Sequence, residues 1–134
     1  MLFSDYPVVL RGGGDLASGV AYMLNRAGFP VIVLELPEPL AIRRKVSFAA
    51  AVDEGEVTID GVTGRCTDLP SEALWAARRG HVAVLVSPKF PRSGLDAAVL
   101  VDARLAKRNI DTTRNAAPLV VGLGPGFTAG SECD

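Results

Sequence analysis

The stretch PVVLRGGGDLASGVAYMLNRAGFPVIVLE, residues 7–35, decides the fold of this chain. It joins an apolar run, a glycine-rich bend, a segment with helical periodicity and a second apolar run. Val8 to Leu10 is apolar without alternation, which is typical of a central parallel strand covered on both faces. Asp15 to Ala27 is predicted to be a helix that stops at Gly28. Its apolar positions at helical spacing are Leu16, Val20, Met23, Leu24 and Ala27. The stretch therefore predicts the first strand-helix-strand unit of a nucleotide-binding sheet.

The glycine-rich bend fits the fingerprint G-x-G-x-x-G/A, with Gly12, Gly14 and Ala17 in the fixed places and Glu35 about 20 residues further on. In this motif the first glycine permits a tight turn and the second lets the backbone approach a pyrophosphate. The free N–H groups and positive dipole end of the helix attract an anion. We therefore predict that Glu35 binds a ribose and that phosphate is held by Gly12, Gly13, Gly14, Asp15, Leu16 and Ala17.

Asp15 departs from what a pyrophosphate site needs. Its carboxylate would repel the pyrophosphate unless it turns away as an N-cap or is offset by Arg11. The nucleotide class therefore stays open at this point.

The rest of the chain predicts more strands and two further helices. Asp60-Gly61 is a strong hairpin signal, and the hairpin is either a small antiparallel insertion or a sheet edge. Ser47 and Ser71 are placed to begin short helices. Apolar runs predict strands at Val31–Leu36, Val82–Val86, Ala97–Val101 and Leu119–Val121, and the hairpin strands are Glu56–Ile59 and Val62–Cys66. The predicted fold is α/β and Rossmann-like: a mostly parallel sheet with helices on both faces and a small inserted β-hairpin, in one domain, residues 1–134.

Further candidate binding groups follow two of the strands. Arg43 and Arg44 can take a terminal phosphate by bidentate contacts, although charge runs in loops are usually solvated. A second glycine loop resembles a phosphate cradle in composition, but it is also compatible with a plain turn, and it lacks the Gly-Lys-Ser/Thr of a Walker A loop. Its candidate residues are Gly122, Gly124, Gly126 and Thr128. Asp102 ends a strand and can face the cleft, but no partner for acid-base work is visible.

Composition limits the classes of partner. The chain has 134 residues, of which 49% are hydrophobic, and this is typical of a globular protein. Its formal net charge of -1 does not indicate the basic surface that binds nucleic acid or an anionic membrane. No signal peptide or membrane-spanning run is visible, so a cytoplasmic location is expected. The spacing of Cys66 and Cys133 supports neither a disulfide framework nor a metal site.

The end of the sequence suggests that more chain follows. An apolar run and a glycine loop normally lead into a helix, but only a few residues separate Gly126 from Asp134. We therefore expect the chain to be the N-terminal part of a longer protein. A sheet without its later strands would expose an edge, through which we expect a homodimer or aggregation.

Four stretches carry a resemblance to a known family: LRGGGDLASGVA, LPEPLAIRRKVSFAAAVDEGE, VLVDARLAKRN and PLVVGLGPGFTAG. Together they resemble the YqeB-type selenium-dependent molybdenum hydroxylase accessory proteins, and they cover nearly the whole chain. The resemblance implies a role in maturation of a molybdenum hydroxylase. Members of the family are similar to xanthine dehydrogenase accessory proteins, whose Rossmann-like domain carries a loop G-A-G-H-V-A. Asp15 stands where that loop has histidine, so the role of the histidine does not transfer.

Three functions follow as hypotheses. The first is an accessory protein that binds a nucleotide or a dinucleotide form of molybdopterin. The second is an NAD-dependent oxidoreductase, which needs a hydride acceptor site and a proton-transfer group that the chain does not display. The third is an interaction domain that keeps the fold without a ligand, an alternative that Asp15 favours.

Overall fold

The computed structural model describes residues 1–39, 47–91 and 93–134 and confirms the α/β class. The strands are β1 (Val8–Arg11), β2 (Val31–Glu35), β3 (Glu56–Ile59), β4 (Val62–Thr67), β5 (Val82–Val86), β6 (Val99–Asp102) and β7 (Leu119–Gly122). The helices are α1 (Asp15–Ala27), α2 (Ala51–Glu54), which a 3-10 turn at Phe48–Ala50 precedes, and α3 (Pro70–Arg78).

The described strands form one sheet in the order β3-β4-β5-β2-β1-β6-β7. Only β3 and β4 pair antiparallel, and the other neighbours in this sheet are parallel. With the hairpin left aside, the parallel strands run 3-2-1-4-5 in chain order, which is the Rossmann arrangement as far as its fifth strand. β1 and β2 are buried along their whole length, as their unbroken apolar runs predict.

Helices cover both faces of the sheet. On one face, α1 and the 3-10 turn pack through Ala17, Ala21 and Phe48 against alternate residues of the central strands. On the other face, α3 packs through Ala73 and Ala77 against the strand residues in between. Because side chains alternate along a strand, one apolar run supplies both cores.

The predicted hairpin is present, with its turn at Asp60 and Gly61. Its second strand, β4, lies parallel beside β5, so the hairpin extends the sheet at one end. Of the two alternatives for this hairpin, the structure therefore supports the sheet edge.

The buried face of α1 differs from the one that the apolar pattern indicates. Leu16 and Met23 are exposed, while small residues such as Ala17 and Ala21 face the sheet. Small side chains let the helix approach the strands closely, which is the role that the fingerprint gives to Ala17. The helix ends as predicted, with Gly28 in the left-handed region at φ 105°.

The last residues fold back onto β7. The N–H of Asp134 donates to the carbonyl of Val120 at 2.7 Å, and the N–H of Val120 donates to Oδ2 of Asp134 at 2.9 Å. These bonds occupy part of the outer edge of β7, so association through that edge stays a prediction that solution measurements must test. Across the described part of the chain, no helix is long and apolar enough to span a membrane.

Candidate functional site

A cleft of about 510 Å³ lies at the carboxyl ends of β1, β2 and β6. In the sheet, β1 lies between β2 and β6. The strands from β2 to β5 lie on one side of β1, and β6 and β7 lie on the other side. This topological switch point is where open α/β sheets bind their ligands. The fold thus places the first glycine loop, which follows β1, at the mouth of the cleft.

Each glycine of the loop has its own surroundings. Gly12 adopts φ +94° and its N–H donates to the carbonyl of Leu34 at 2.9 Å, so it makes the tight turn out of β1. Gly13 is buried between Val33 and Ala49. Gly14 is the N-cap of α1, and an added Cβ there would meet nothing within 4 Å. Gly14 itself lines the cleft.

The carbonyl of Gly13 is held by residues from the 3-10 turn and from α1. It accepts hydrogen bonds from Ser47 Oγ, from Ser18 Oγ at 3.1 Å and from the Ala49 N–H at 3.0 Å. Ser18 Oγ in turn accepts from the Phe48 N–H at 2.8 Å. Ser47 caps the 3-10 turn as the sequence predicts. Its hydrogen bond to the glycine loop could not be predicted from the local sequence.

Glu35 lies at the end of β2 beside the loop and is only 9% exposed. Oε2 accepts the Gly13 N–H at 2.7 Å, and Oε1 accepts the Leu36 N–H at 2.8 Å. Each carboxylate oxygen keeps a further lone pair, so a ribose hydroxyl can still donate to it. Glu35 therefore positions the loop as well as lining the cleft.

Glu35→Ala is expected to lower the free energy of unfolding by about 1–3 kcal/mol, because the buried Gly13 N–H loses its acceptor. Glu35→Gln keeps an acceptor oxygen at the same place and is expected to cost less than half as much. Urea denaturation of both variants measures the difference. Equal losses would contradict this role of the carboxylate.

Asp15 is neither the N-cap of α1 nor the partner of Arg11. Gly14 occupies the N-cap, and Asp15 is the first helical residue, exposed at the cleft. Arg11 donates instead to Asp111 and to the carbonyl of Pro88. An anion at the start of α1 therefore has the Asp15 carboxylate near it.

A network of charges closes the floor of the cleft. Arg11, which is 3% exposed, makes a bidentate pair with Asp111 at 2.7 and 3.0 Å. Arg104 makes a second bidentate pair with Asp102 at 2.9 and 2.6 Å and also reaches Asp111 at 3.0 Å. Thr112 Oγ1 donates to Asp102 at 2.7 Å. The partners of Asp102 lie on the irregular segment after β6, and they are a guanidinium and a hydroxyl that hold the carboxylate in place.

The charge network sets the ionisation of its carboxyl groups. Burial raises the pKa of Asp102, but hydrogen bonds from Arg104 and Thr112 outweigh it, and the pKa lies below its ordinary value. Burial likewise raises the pKa of Asp111, and hydrogen bonds from Arg11 and Arg104 bring that pKa below the ordinary value. Both carboxyl groups are therefore ionised at neutral pH and are structural anions, not proton donors.

The second glycine loop does not reach the cleft. An added Cβ at Gly122 would overlap the ring of Phe127, and one at Gly126 would lie 2.7 Å from the backbone of Arg108. These glycines therefore allow the loop to pack closely against its own residues and against segment 105–108. None of the predicted cradle residues lines the cleft. These residues are Gly122, Gly124, Gly126 and Thr128. A phosphate-binding role of the second glycine loop, away from this cleft, stays a prediction. Arg43 and Arg44 lie outside the described residues.

The described residues that line the cleft include neither a histidine nor a cysteine. In the described ranges, no group of His, Cys, Asp and Glu side chains is arranged to hold a metal ion. Burial, followed by the charge of Asp68, raises the pKa of the Cys66 thiol, which disfavours the reactive thiolate. The cleft combines the start of α1 with apolar lining side chains, which are Leu16, Leu36, Leu105 and Ile110.

These features define a Rossmann-like α/β domain with a cleft at its switch point. The chain is 48% identical, over 127 residues and 94% of its length, to the "Uncharacterized protein YqeB" of Escherichia coli (strain K12). The chain spans 24% of the length of that protein. No family model matches the chain, and no solved structure matches it. The similarity to YqeB agrees with the resemblance to YqeB-type proteins that the sequence motifs carry.

Proposed function

We propose that this chain is the nucleotide-binding domain of an accessory protein that acts in maturation of a molybdenum hydroxylase. Its ligand is a nucleotide or a dinucleotide form of molybdopterin. The observation that carries the binding part of the proposal is Gly14, whose missing side chain leaves open space at the start of α1 inside the cleft.

The start of α1 supplies what a phosphate needs. The first N–H groups of a helix have no partner within the helix, and they point along the positive end of its dipole. A glycine at the N-cap lets a phosphate oxygen approach these groups. Because Gly14 adopts φ -66° and ψ -176°, which other residues also adopt, backbone strain does not demand glycine here.

The rest of the cleft suits the other parts of a nucleotide. Glu35 can accept hydroxyl donors of a ribose with its remaining lone pairs. Leu16, Leu36 and Ile110 are exposed around the cleft and offer apolar contact to a flat ring. A net charge near zero agrees with local recognition of the ligand.

The maturation role rests on the family resemblance and on the similarity to YqeB. In this role the domain holds the nucleotide part of the ligand, and the molybdenum hydroxylase is the partner protein. Because the chain spans a quarter of that relative, steps beyond ligand binding are assigned to the whole protein.

Gly14→Val is expected to weaken nucleotide binding at least tenfold, because the new side chain fills the space that the phosphate needs. The matched control is Gly19→Val on the same helix, where an added Cβ also meets nothing within 4 Å but lies outside the cleft lining. Calorimetric titration with NAD, CTP and ADP compares the two variants with the wild type. Valine at the N-cap is expected to cost about 1 kcal/mol in stability, so both variants remain folded.

Equal nucleotide affinities of Gly14→Val and Gly19→Val would show that Gly14 is not part of the binding site. A longer protein that binds none of the three nucleotides would sink the proposal. The NAD-dependent oxidoreductase alternative is supported only if NAD binds and is reduced by hydride transfer from a substrate that is oxidised in the same step.

A further inference from the structure

The pair Arg11 and Arg104 stands out at the floor of the cleft, since both line it but neither is available to a ligand. Both carboxylate oxygens of Asp111 accept hydrogen bonds from Arg11, and Oδ1 also accepts one from Arg104. Among the described residues that line the cleft, the charged side chains are those of Arg11, Arg104, Asp111, Asp15 and Glu35. As long as Asp111 stays paired with Arg11, its carboxylate repels an anionic ligand at this position.

Arg11 and Asp111, which form an ion pair, differ in their freedom to move. Arg11 belongs to β1 and is 3% exposed, so the sheet fixes it in place. The side chain of Asp111 is 40% exposed and belongs to the segment between β6 and β7, which has no helix or strand. A rotation of Asp111 toward solvent would leave Arg11 facing the cleft without moving any strand.

The surrounding contacts keep this segment in place when Asp111 turns. Asn109 Oδ1 accepts the Thr112 N–H at 3.0 Å, and Asn109 Nδ2 donates to the Thr112 carbonyl at 2.7 Å. Thr112 is also anchored to the buried Asp102. Arg104 keeps its own bidentate pair with Asp102, so the release of Asp111 frees mainly Arg11.

We propose that Arg11 and Arg104 form a second anion subsite, which the Asp111 carboxylate fills until a ligand phosphate displaces it. The inference rests on the proposed function, and it specifies the ligand class: a compound with a pyrophosphate, such as a nucleoside diphosphate or a dinucleotide. The subsite adjoins the glycine loop, because an added Cβ at Gly12 would lie 3.2 Å from Cγ of Arg104. One phosphate then sits at the start of α1 and the next at Arg11, whose planar fork suits bidentate contact with phosphate.

The test compares Asp111→Asn with the wild type in calorimetric titrations of inorganic pyrophosphate, ADP and AMP. Removal of the competing carboxylate is expected to raise affinity for pyrophosphate and for ADP about tenfold, with a smaller gain for AMP. The gain is expected to shrink at high salt. Asp111→Glu keeps the charge and should show no gain. Asp5→Asn removes the same charge from an exposed position before β1, at the other end of the strands, and should leave binding unchanged.

A second readout uses the wild-type protein and does not depend on how well a variant folds. The carbon-13 signal of the Asp111 carboxyl is expected to shift when pyrophosphate is added, as the carboxylate leaves Arg11 for water. If ADP binds the wild type and Asp111→Asn equally, or if the signal stays fixed during binding, the subsite is refuted and the proposed function stands. If no form of the protein binds ADP or pyrophosphate, the subsite is refuted, and the proposed function is refuted with it when NAD and CTP also fail to bind.

Discussion

Asp102→Asn is expected to lower the free energy of unfolding by about 3 kcal/mol, because it removes one partner of a buried ion pair. Asp102 is 1% exposed and receives two hydrogen bonds from the Arg104 side chain and one from Thr112. Asparagine keeps the shape of the side chain but removes its charge, so Arg104 keeps its ion pair with Asp111 and loses the one with residue 102. We place the loss at the low end for buried pairs, because the Arg104 side chain is 20% exposed and can reach water.

The matched control is an exposed ion pair on the sheet edge. Glu56 and Arg65 face each other across the hairpin at 3.4 Å, and both side chains are about half exposed. Glu56→Gln is expected to cost at most about 0.5 kcal/mol. Urea denaturation at pH 7 measures both variants. Similar losses in the two would contradict a special role for the network at the cleft floor.

The same network predicts how stability depends on pH. The pKa of Asp102 is lowered on folding, so its contribution is present above the ordinary pKa of 3.8 and is lost as the pH falls through the lower value of the folded state. The difference in unfolding free energy between wild type and Asp102→Asn should therefore be largest near neutral pH and shrink below about pH 4. A difference that stays constant down to pH 3 would count against this assignment.

The fold could be predicted from the sequence because its signals are local. The unbroken apolar runs of β1 and β2 mark central parallel strands, and the bend from Gly12 to Ala17 marks the turn into α1. The Asp60-Gly61 turn fixes the hairpin for the same reason. Each of these signals lies within a few residues of the structure that it determines.

The contacts inside the cleft could not be predicted in this way. Arg11 and Asp111 are 100 positions apart, and no periodicity links them. Arg104 stands near Lys107 and Arg108 in the sequence, a grouping typical of a solvated surface, but its guanidinium turns inward to Asp102. Glycine composition also does not reveal the packing at Gly122 and Gly126, since a phosphate cradle and a close packing contact require the same missing side chain.

Phe48→Ala is expected to lower the free energy of unfolding by about 3–5 kcal/mol, the range for a large side chain removed from a core. Phe48 is fully buried, and Gly64 of β4 makes room for it, because an added Cβ there would lie 2.6 Å from the ring. Loss of the ring also loosens the turn through which Ser47 holds the glycine loop.

The control for this prediction keeps most of the volume at the same position. Phe48→Leu is expected to cost about 1 kcal/mol, because an apolar side chain of similar size leaves little cavity. Denaturation curves give the two losses. Amide hydrogen exchange at Gly13 and Ser18 is expected to accelerate in Phe48→Ala and to stay near the wild-type rate in Phe48→Leu. Unchanged exchange in a destabilised Phe48→Ala would mean that the core supports the sheet without bracing the loop that forms the cleft.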